Sequence, residues 1–318
     1  MNKVTITNDN SSEVPASRNR PIRKSPRIST LTHSTENIIN DRKREPRKAA
    51  STPKKIKFTE SLNAEEVLRS SYATSNKTPK YGLKRLGYSF FDVPCEDLAK
   101  KLLGTVLVRR LDDGTIVKGR IVETECYPGG DDKASVSHDG RITEKIRAVY
   151  MKPGTMYVYV TYGMYHCFNI SSQENIYLFT GPGAAVLLRA VDPLEGVEYM
   201  QQERGKRKKN TTPEKSKELE LHDLCNGPAK LCISFNITKS TSNEQDLCSW
   251  DGMWIEEDKS GQKSLNSNHI VVSQRIGIDS VGIKWASKPL RFYLLGNSSV
   301  SRRDKIKEKE FEEKIKCI

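Results

Sequence analysis

The chain has 318 residues, of which 29% are charged and 36% hydrophobic, and its formal net charge is +13. Its apolar runs fall well short of the roughly 20 residues that span a bilayer, and its N-terminus lacks the apolar segment of a secretory signal, so we expect neither membrane insertion nor export. Seven scattered cysteines without a CxxC…CxxC pair indicate reduced thiols in an intracellular protein rather than a zinc site.

The positive charge is concentrated near the N-terminus. Residues 1–80 carry 17 Lys and Arg against 8 Asp and Glu, whereas the remaining chain carries 36 against 32. The aromatic residues of this segment are Phe58 and Tyr72, too few to build a core, so we predict a disordered basic arm. The clusters DRKREPRKAA and PKKIK are typical of nuclear-import signals or of sequence-independent DNA contacts, although they could also simply keep the segment soluble.

From residue 81 onward the pattern is that of a folded domain. CEDLAKKLLG has helical spacing and stops at Gly104. TVLVRRL, TIVKGRIVETECY, TMYVYVTY, HIVVSQRIGI and PLRFYLLG are strand-like, and AAVLLRAV is a buried strand or a short helix. Because strands and helices do not alternate regularly, the pattern favours an antiparallel or mixed α+β domain over a doubly wound one. Residues 204–220 are predicted as an exposed insertion loop, and 303–318 as a charged C-terminal tail, helical or frayed.

Two carboxylates stand two residues apart on one predicted strand. Glu123 and Glu125 would share a face with Tyr127, opposite Val122. A buried carboxylate beside a tyrosine is a candidate general base, although exposed strand glutamates are common. Arg189 in AAVLLRA requires a partner because an unpaired charge in an apolar strand is costly, and Glu125 is the predicted partner.

Tyrosines crowd the stretch GTMYVYVTYGMYHCFN. Tyr157 and Tyr159 would share a strand face, Gly163 would allow a turn after Tyr162, and HCFNI would return as the next strand. A core aromatic ladder would give the same pattern. Repeated tyrosine in place of phenylalanine nevertheless favours a surface that is both apolar and wet, as stacking on nucleobases requires. The sequence therefore predicts a protruding β-hairpin.

Six blocks in this order resemble the alkyladenine (3-methyladenine) DNA glycosylases of eukaryotes and bacteria. They are RIVETECY, MKPGTMYVYVTYGMYHCFNISS, GPGAAVLLRAVDPLEG, NGPAKLC, RIGI and KPLRFY, and together they cover roughly residues 84–300. The resemblance implies an α+β domain over 81–302 with one curved, mainly antiparallel sheet flanked by helices. It also implies an enzyme that flips damaged purines out of duplex DNA and hydrolyses the N-glycosidic bond with one water, initiating base-excision repair. The expected lesions are alkylated or deaminated purines such as 3-methyladenine, 7-methylguanine, hypoxanthine and ethenoadenine.

The resemblance also implies roles for individual residues. Glu125 would be the general base that deprotonates the water, and Arg189 would position that water together with the backbone at Ile276. Tyr127 and Tyr159 would sandwich the flipped base. The remaining residues implied for the base pocket are Asn169, which would exclude the amino group of guanine, and Val136 and His138, which lie in the segment DKASVSHDGRIT. The implied contacts with DNA come from Tyr162, which would fill the gap in the base stack, and from Met164, Tyr165, Arg141, Thr143 and Lys230.

The segment DKASVSHDGRIT departs from the family pattern D-x-A-S-H-[SA]. Without a gap, Val136 occupies the position of the family histidine, which packs on the flipped base, and His138 follows two residues later. Either His138 takes over that position or the pocket has lost this partner; the ungapped alignment of GRIT favours Val136. The block EKIRAVY also departs from the more usual xRNxxMF.

The resulting hypothesis is a monomeric, nuclear or mitochondrial enzyme without metal or organic cofactor, which acts on damaged double-stranded DNA with water as the nucleophile. Lys133 is the lysine nearest to Glu125 in the matching motifs, which favours direct water attack over a Schiff base. A different class, a damage-sensing module with weak or no excision because of the altered 133–149 loop, stays open. So does a chromatin partner that acts chiefly through its basic arm, which could bind DNA or import receptors.

Overall fold

The structure is a computed structural model that describes residues 85–172, 183–206, 218–258 and 269–316, with only the backbone for 314–316. The predicted arm 1–80 and residues 207–217 of the predicted loop lie outside the described residues. The strands are β1 (Val106–Arg110), β2 (Ile116–Tyr127), β3 (Met156–Thr161), β4 (Tyr165–Ser172), β5 (Ala184–Glu195), β6 (Met253–Glu256), β7 (Ile270–Ser273) and β8 (Arg291–Leu294). The α-helices are α1 (Tyr88–Phe91), α2 (Cys95–Leu102), α3 (Val197–Gly205), α4 (Pro228–Ser234), α5 (Lys239–Ser242), α6 (Ile283–Ala286) and α7 (Lys305–Lys316).

All eight strands join one open sheet, which confirms the predicted α+β fold with a mainly antiparallel sheet. The order is β3-β4-β5-β2-β1-β6, and β8 pairs with both β2 and β7. Strand β2 is central because it pairs with β5 from Lys118 to Tyr127, while its first half pairs with β1 and Glu123–Glu125 pair with β8. A carboxylate at the end of this strand therefore has paired backbone on both sides.

Helix α2 packs its apolar side chains against one face of the sheet. Its apolar residues Leu98, Ala99 and Leu102 are completely buried, as the helical spacing requires. Thr124 Oγ1 on β2 donates a hydrogen bond of 2.8 Å to the carbonyl of Ala99 and so links helix and strand. The left-handed backbone of Gly104, with φ 84°, turns the chain from the helix into β1.

The predicted tyrosine hairpin is formed by β3 and β4. Thr161 pairs with Tyr165, and the turn between them contains Tyr162 and Gly163, both in the left-handed region with φ of 51° and 69°. A Cβ at Gly163 would meet nothing within 4 Å, so backbone conformation rather than space is what favours glycine there. The turn leaves the Tyr162 ring 87% exposed at the tip.

The C-terminal segment is helical over α7 and is attached to the sheet. Ser273 Oγ at the end of β7 donates to Asp304 Oδ2 at 2.6 Å, and Glu308 on the helix is buried and bonded to Arg303. The predicted 204–220 loop begins inside α3, which extends to Gly205. Within the described residues, none of the helices combines the length and the apolar character of a membrane span.

Candidate active site

Glu125 lies at the end of the central strand with no exposed surface. Its Oε1 accepts a hydrogen bond of 2.8 Å from the backbone N–H of Ile276 and lies 3.2 Å from Nη1 of Arg189. Its Oε2 accepts a bond of 2.9 Å from the hydroxyl of Tyr127. Three donors therefore converge on one carboxylate.

Strand register places the catalytic candidates and the hairpin on one face of the sheet. Glu125 is opposite Leu187 on β5, Leu187 is opposite Asn169 on β4, and Asn169 is opposite Tyr157 on β3. Directly paired residues in antiparallel strands point to the same side. The next residues along this face, two positions away on β2 and β3, are Tyr127 and Tyr159.

Arg189 has two carboxylate partners, not one. Besides Glu125, its Nε donates to Oε1 of Glu123 at 3.2 Å, and Nη1 of Arg291 donates to the same oxygen at 2.9 Å. The pairing of β2 with β5 is irregular around Glu123, and Arg189 falls between the paired residues Leu188 and Ala190, which lets it reach both carboxylates. Burial by itself lowers the pKa of Arg189, but Glu125 and Glu123 more than offset this and raise it above the ordinary value.

A small cavity opens on the same face, next to Tyr127. Its volume is about 120 Å³, and its lining combines tyrosine rings with small and apolar residues: Tyr127, Ala134, Ser135, Val136, Tyr157, Tyr159, Asn169, Gly183, Ala185 and Ile278. The rings of Tyr157 and Tyr159 stack with centroids 5.4 Å apart. Burial, then the neighbouring Glu125, raises the pKa of Tyr127, so its hydroxyl stays protonated and donates to that carboxylate.

The polar groups of this cavity are largely engaged. Asn169 Nδ2 donates to the carbonyl of Tyr157 at 3.2 Å. Ser135 Oγ donates to Asp132 at 2.8 Å and accepts from the N–H of Gly129 at 3.0 Å. The described wall of the cavity therefore offers mainly aromatic faces and apolar surface.

Val136 and His138 are placed differently. Val136 lines the cavity and is 39% exposed. His138 is not among the described lining residues: it begins a short 3₁₀ helix with Asp139 in the left-handed region, and its Nδ1 lies 3.0 Å from the carboxylate of Asp139. The prediction that His138 belongs to the base pocket is thus not supported by its position, because the turn directs its ring to a neighbouring side chain.

The backbone N–H of Ile276 donates to Glu125, and its side chain is not among the described residues that line the cavity; Ile278, which the sequence did not indicate, lines it instead. Among the predicted DNA contacts, Met164 and Arg141 are exposed, whereas Tyr165 and Thr143 are half-buried. Lys230 is half-buried too, and its Nζ donates to Asn226 at 2.5 Å.

The sequence did not indicate the ion pairs that four charged residues form near the site: Glu123, Arg291, Arg275 and Asp132. Glu123 joins the Arg189 network, Arg291 closes it, and Arg275 binds Asp132 with two hydrogen bonds. The described residues contain no group of three His, Cys, Asp or Glu side chains that could hold a metal ion.

Comparison with known protein sequences identifies the family of this chain. Residues 89–298 match the family model described as methylpurine-DNA glycosylase. The chain belongs to this family and is a DNA glycosylase enzyme that acts on alkylated bases.

Mammalian relatives show the extent of the similarity. The chain is 46% identical over 242 residues to the DNA-3-methyladenine glycosylase of Homo sapiens, which covers 76% of this chain and 75% of the human protein. It is 46% identical over 248 residues to the mouse protein of the same name, with 78% and 69% covered, and 44% identical over 246 residues to the rat protein, with 77% and 72% covered.

Proposed function

We propose that the enzyme turns a damaged purine nucleotide out of duplex DNA into the tyrosine-lined cavity and hydrolyses its N-glycosidic bond with one water activated by Glu125. The observation that carries this proposal is the position of an arginine-paired carboxylate on the same sheet face as that cavity. The relatives named as DNA-3-methyladenine glycosylases support alkylated purines as the substrate class.

The chemical step requires a base and a stabiliser of positive charge. The water oxygen forms a bond to C1′ of the sugar while the bond between C1′ and the purine nitrogen breaks, and the bonding electrons leave with the base. Glu125 accepts the proton of the water, and its charge stabilises the oxocarbenium character of the sugar. Arg189 keeps the carboxylate oriented.

Because Glu125 is fully buried in the free enzyme, entry of the nucleotide must open a path past Tyr127, as catalytic hydrogen bonds commonly rearrange in the complex.

A covalent amine route is disfavoured by the loop after β2. Lys133, in the loop that follows Glu125 and Tyr127, is exposed and paired with Asp139. A Schiff base would need a desolvated or otherwise activated lysine beside the sugar. Direct attack by water, with an abasic site as the product, is the simpler mechanism.

The test is release of free base from duplexes that contain 3-methyladenine, 7-methylguanine, hypoxanthine or 1,N6-ethenoadenine, compared with undamaged duplex. We expect release from the alkylated duplexes and an intact abasic strand that breaks only on alkaline treatment. Binding without formation of an abasic product would contradict the enzymatic proposal.

Cavity chemistry predicts a preference among lesions. Alkylation at N3 or N7 gives a purine a positive charge, which aromatic faces attract. A neutral purine such as hypoxanthine lacks this charge, so the aromatic faces attract it less strongly. We therefore propose that alkylated purines are processed faster than hypoxanthine.

Val136→His should reduce this preference. A histidine N–H at the cavity wall would donate to the carbonyl of hypoxanthine, which 3-methyladenine lacks, and one new hydrogen bond of about 1 kcal/mol predicts a rate ratio of hypoxanthine to 3-methyladenine about five- to tenfold higher. The measurement is single-turnover excision from both duplexes. Val272→His is the matched control, since this valine on β7 is 38% exposed but lies outside the cavity. An unchanged ratio would refute the role of position 136.

Tyr162→Ala should impair extrusion rather than chemistry. The exposed ring at the hairpin tip is the candidate that fills the gap in the base stack, and unstacking costs a few kcal/mol per step. We expect affinity for an ethenoadenine duplex to fall about 10- to 100-fold, with loss of the fluorescence change that accompanies extrusion. Ile306→Ala, an exposed apolar residue of α7, serves as the control. Equal effects of the two substitutions would exclude a specific role for Tyr162.

A further inference from the structure

Arg275 forms a buried ion pair that the reaction described above does not use. Its Nη1 and Nη2 donate to the two oxygens of Asp132 at 2.6 and 2.8 Å, and both side chains are at most 1% exposed. A bidentate pair fixes the relative orientation of two segments, since two parallel hydrogen bonds must be satisfied at once. The partners are 143 residues apart in the chain, so the pair joins distant parts of the domain.

The same guanidinium contacts the end of the catalytic strand. It donates to the carbonyl of Cys126 at 3.1 Å and lies 4.8 Å from the ring centroid of Tyr127. It also donates to the carbonyl of Trp285 at 3.3 Å. Arg275 therefore supports Tyr127, whose ring lines the cavity and whose hydroxyl binds Glu125, from the backbone side and through a cation–π contact.

Asp132 organises the loop that forms another wall. It accepts a hydrogen bond from Ser135 Oγ, its carbonyl accepts the N–H of Ser135 at 2.8 Å, and Ser135 in turn holds the N–H of Gly129. Ser135 and the adjacent Val136 both line the cavity. Burial raises the pKa of Asp132, but the bonds from Arg275 and Ser135 more than offset this and hold it below the usual value.

Arg275 also begins the segment 275–278, which forms a third wall of the cavity. The next residue, Ile276, donates its N–H to Glu125, and Ile278 lines the cavity. One ion pair thus touches the end of β2, the 129–136 loop and the 275–278 segment. Replacing a buried ion pair by apolar residues is often neutral or stabilising, so stability by itself does not account for such a pair.

We propose that Arg275 and Asp132 are positioning residues, which hold the three walls of the base cavity and the Ile276 donor in the alignment that excision requires. They act through Tyr127, Val136 and Glu125 and do not touch the substrate. The consequence for excision rests on the function proposed above, whereas the consequence for the geometry of the walls does not.

The experiment compares Arg275→Lys and Asp132→Asn with Arg109→Lys. Arg109 is a close match. As whole residues, Arg109 and Arg275 are each 5% exposed, and the Arg109 guanidinium lies 5.0 Å from the ring centroid of Trp250. It pairs with Val117, eight residues before Glu125 on β2, or about 26 Å along the strand. Lysine keeps the charge in each case but cannot form the bidentate contact.

We expect Arg275→Lys to slow single-turnover base release about 100-fold, since a displacement of about 1 Å costs that much in rate, while affinity for undamaged duplex stays unchanged. Asp132→Asn should slow release as well, and the double variant should lose little beyond Arg275→Lys, because both act through one contact. Arg109→Lys should leave the rate within about threefold of the natural protein, within the range of substitutions that do not touch the site.

Amide hydrogen exchange provides a measurement that is independent of catalysis. The N–H groups of Gly129, Ser135 and Ile276 should exchange faster in Arg275→Lys and Asp132→Asn than in Arg109→Lys, with no difference at Leu98 of α2. Equal exchange at these amides, or an equal excision rate in Arg275→Lys and Arg109→Lys, would overturn the proposed positioning role. A natural protein that releases no base would instead refute the proposed function, and the exchange comparison would still decide the role of the pair.

Discussion

Glu125→Gln is expected to lower the single-turnover rate of base release by about 10²- to 10⁴-fold, the range typical for loss of a general base. Glutamine keeps the size of the side chain and an oxygen that can accept the N–H of Ile276, but it can neither take a proton from water nor carry the negative charge that stabilises the sugar cation. Affinity for a lesion-containing duplex should stay largely intact, because Glu125 lies beneath the cavity rather than in its described lining.

The measurement is base release with enzyme in excess, together with equilibrium binding to the same duplex. Glu195→Gln is the matched control: it removes a carboxylate from the neighbouring strand β5 that is paired with Lys118 and half exposed, far from the cavity. We expect this variant to behave as the natural protein. Base release by Glu125→Gln at more than a tenth of the natural rate would exclude this carboxylate as the general base.

Glu123→Ala is expected to destabilise the fold by about 3–5 kcal/mol, the cost of removing one partner from a buried ion pair. The carboxylate is 1% exposed, and its Oε1 is shared by Arg189 and Arg291. Without it, Arg291 loses its carboxylate partner and Arg189 has only Glu125 left among the partners that the structure describes. The buried Arg291 guanidinium would then keep only neutral acceptors, the carbonyls of Gln274 and Arg302 and the hydroxyl of Ser273.

Urea denaturation followed by circular dichroism gives the free energy of unfolding, and an unchanged dependence on urea concentration confirms that the folded state is comparable. Glu123→Gln, which keeps an acceptor oxygen for both arginines, should lose less. Glu96→Ala, which breaks an exposed pair with Lys100 on α2, should change stability little. A loss below about 1 kcal/mol in Glu123→Ala would contradict the dependence of the arginine network on this carboxylate.

Local chemistry allowed much of the site to be recognised in the sequence. The tyrosine hairpin was predicted because alternating side chains and a glycine turn are properties of consecutive residues, and β3, β4 and the exposed Tyr162 agree with it. Likewise, a lone arginine in an apolar strand requires a carboxylate, and Arg189 does contact Glu125.

Other features depend on residues that are far apart in the chain. The sequence placed Glu123 beside Glu125 on one strand face but indicated only Glu125 as the partner of Arg189. The second pairing arises because the irregular register at Glu123 lets Arg189 bridge two carboxylates. Val136 and His138 could not be separated by spacing alone. In the folded chain Val136 lines the cavity, whereas His138 lies in a short 3₁₀ helix and contacts the carboxylate of Asp139.

The sequence by itself determined the fold class, the family resemblance, the hairpin and the Glu125–Arg189 pair, because periodicity, turn chemistry and the cost of an unpaired charge act over short distances. Only the tertiary structure decided that Glu125 has no exposed surface, that Ile278 rather than the side chain of Ile276 lines the cavity, and that Arg275 binds Asp132. These contacts depend on how the central strand is paired and on how the loops at its end pack together, and neither is specified by the spacing of residues along the chain.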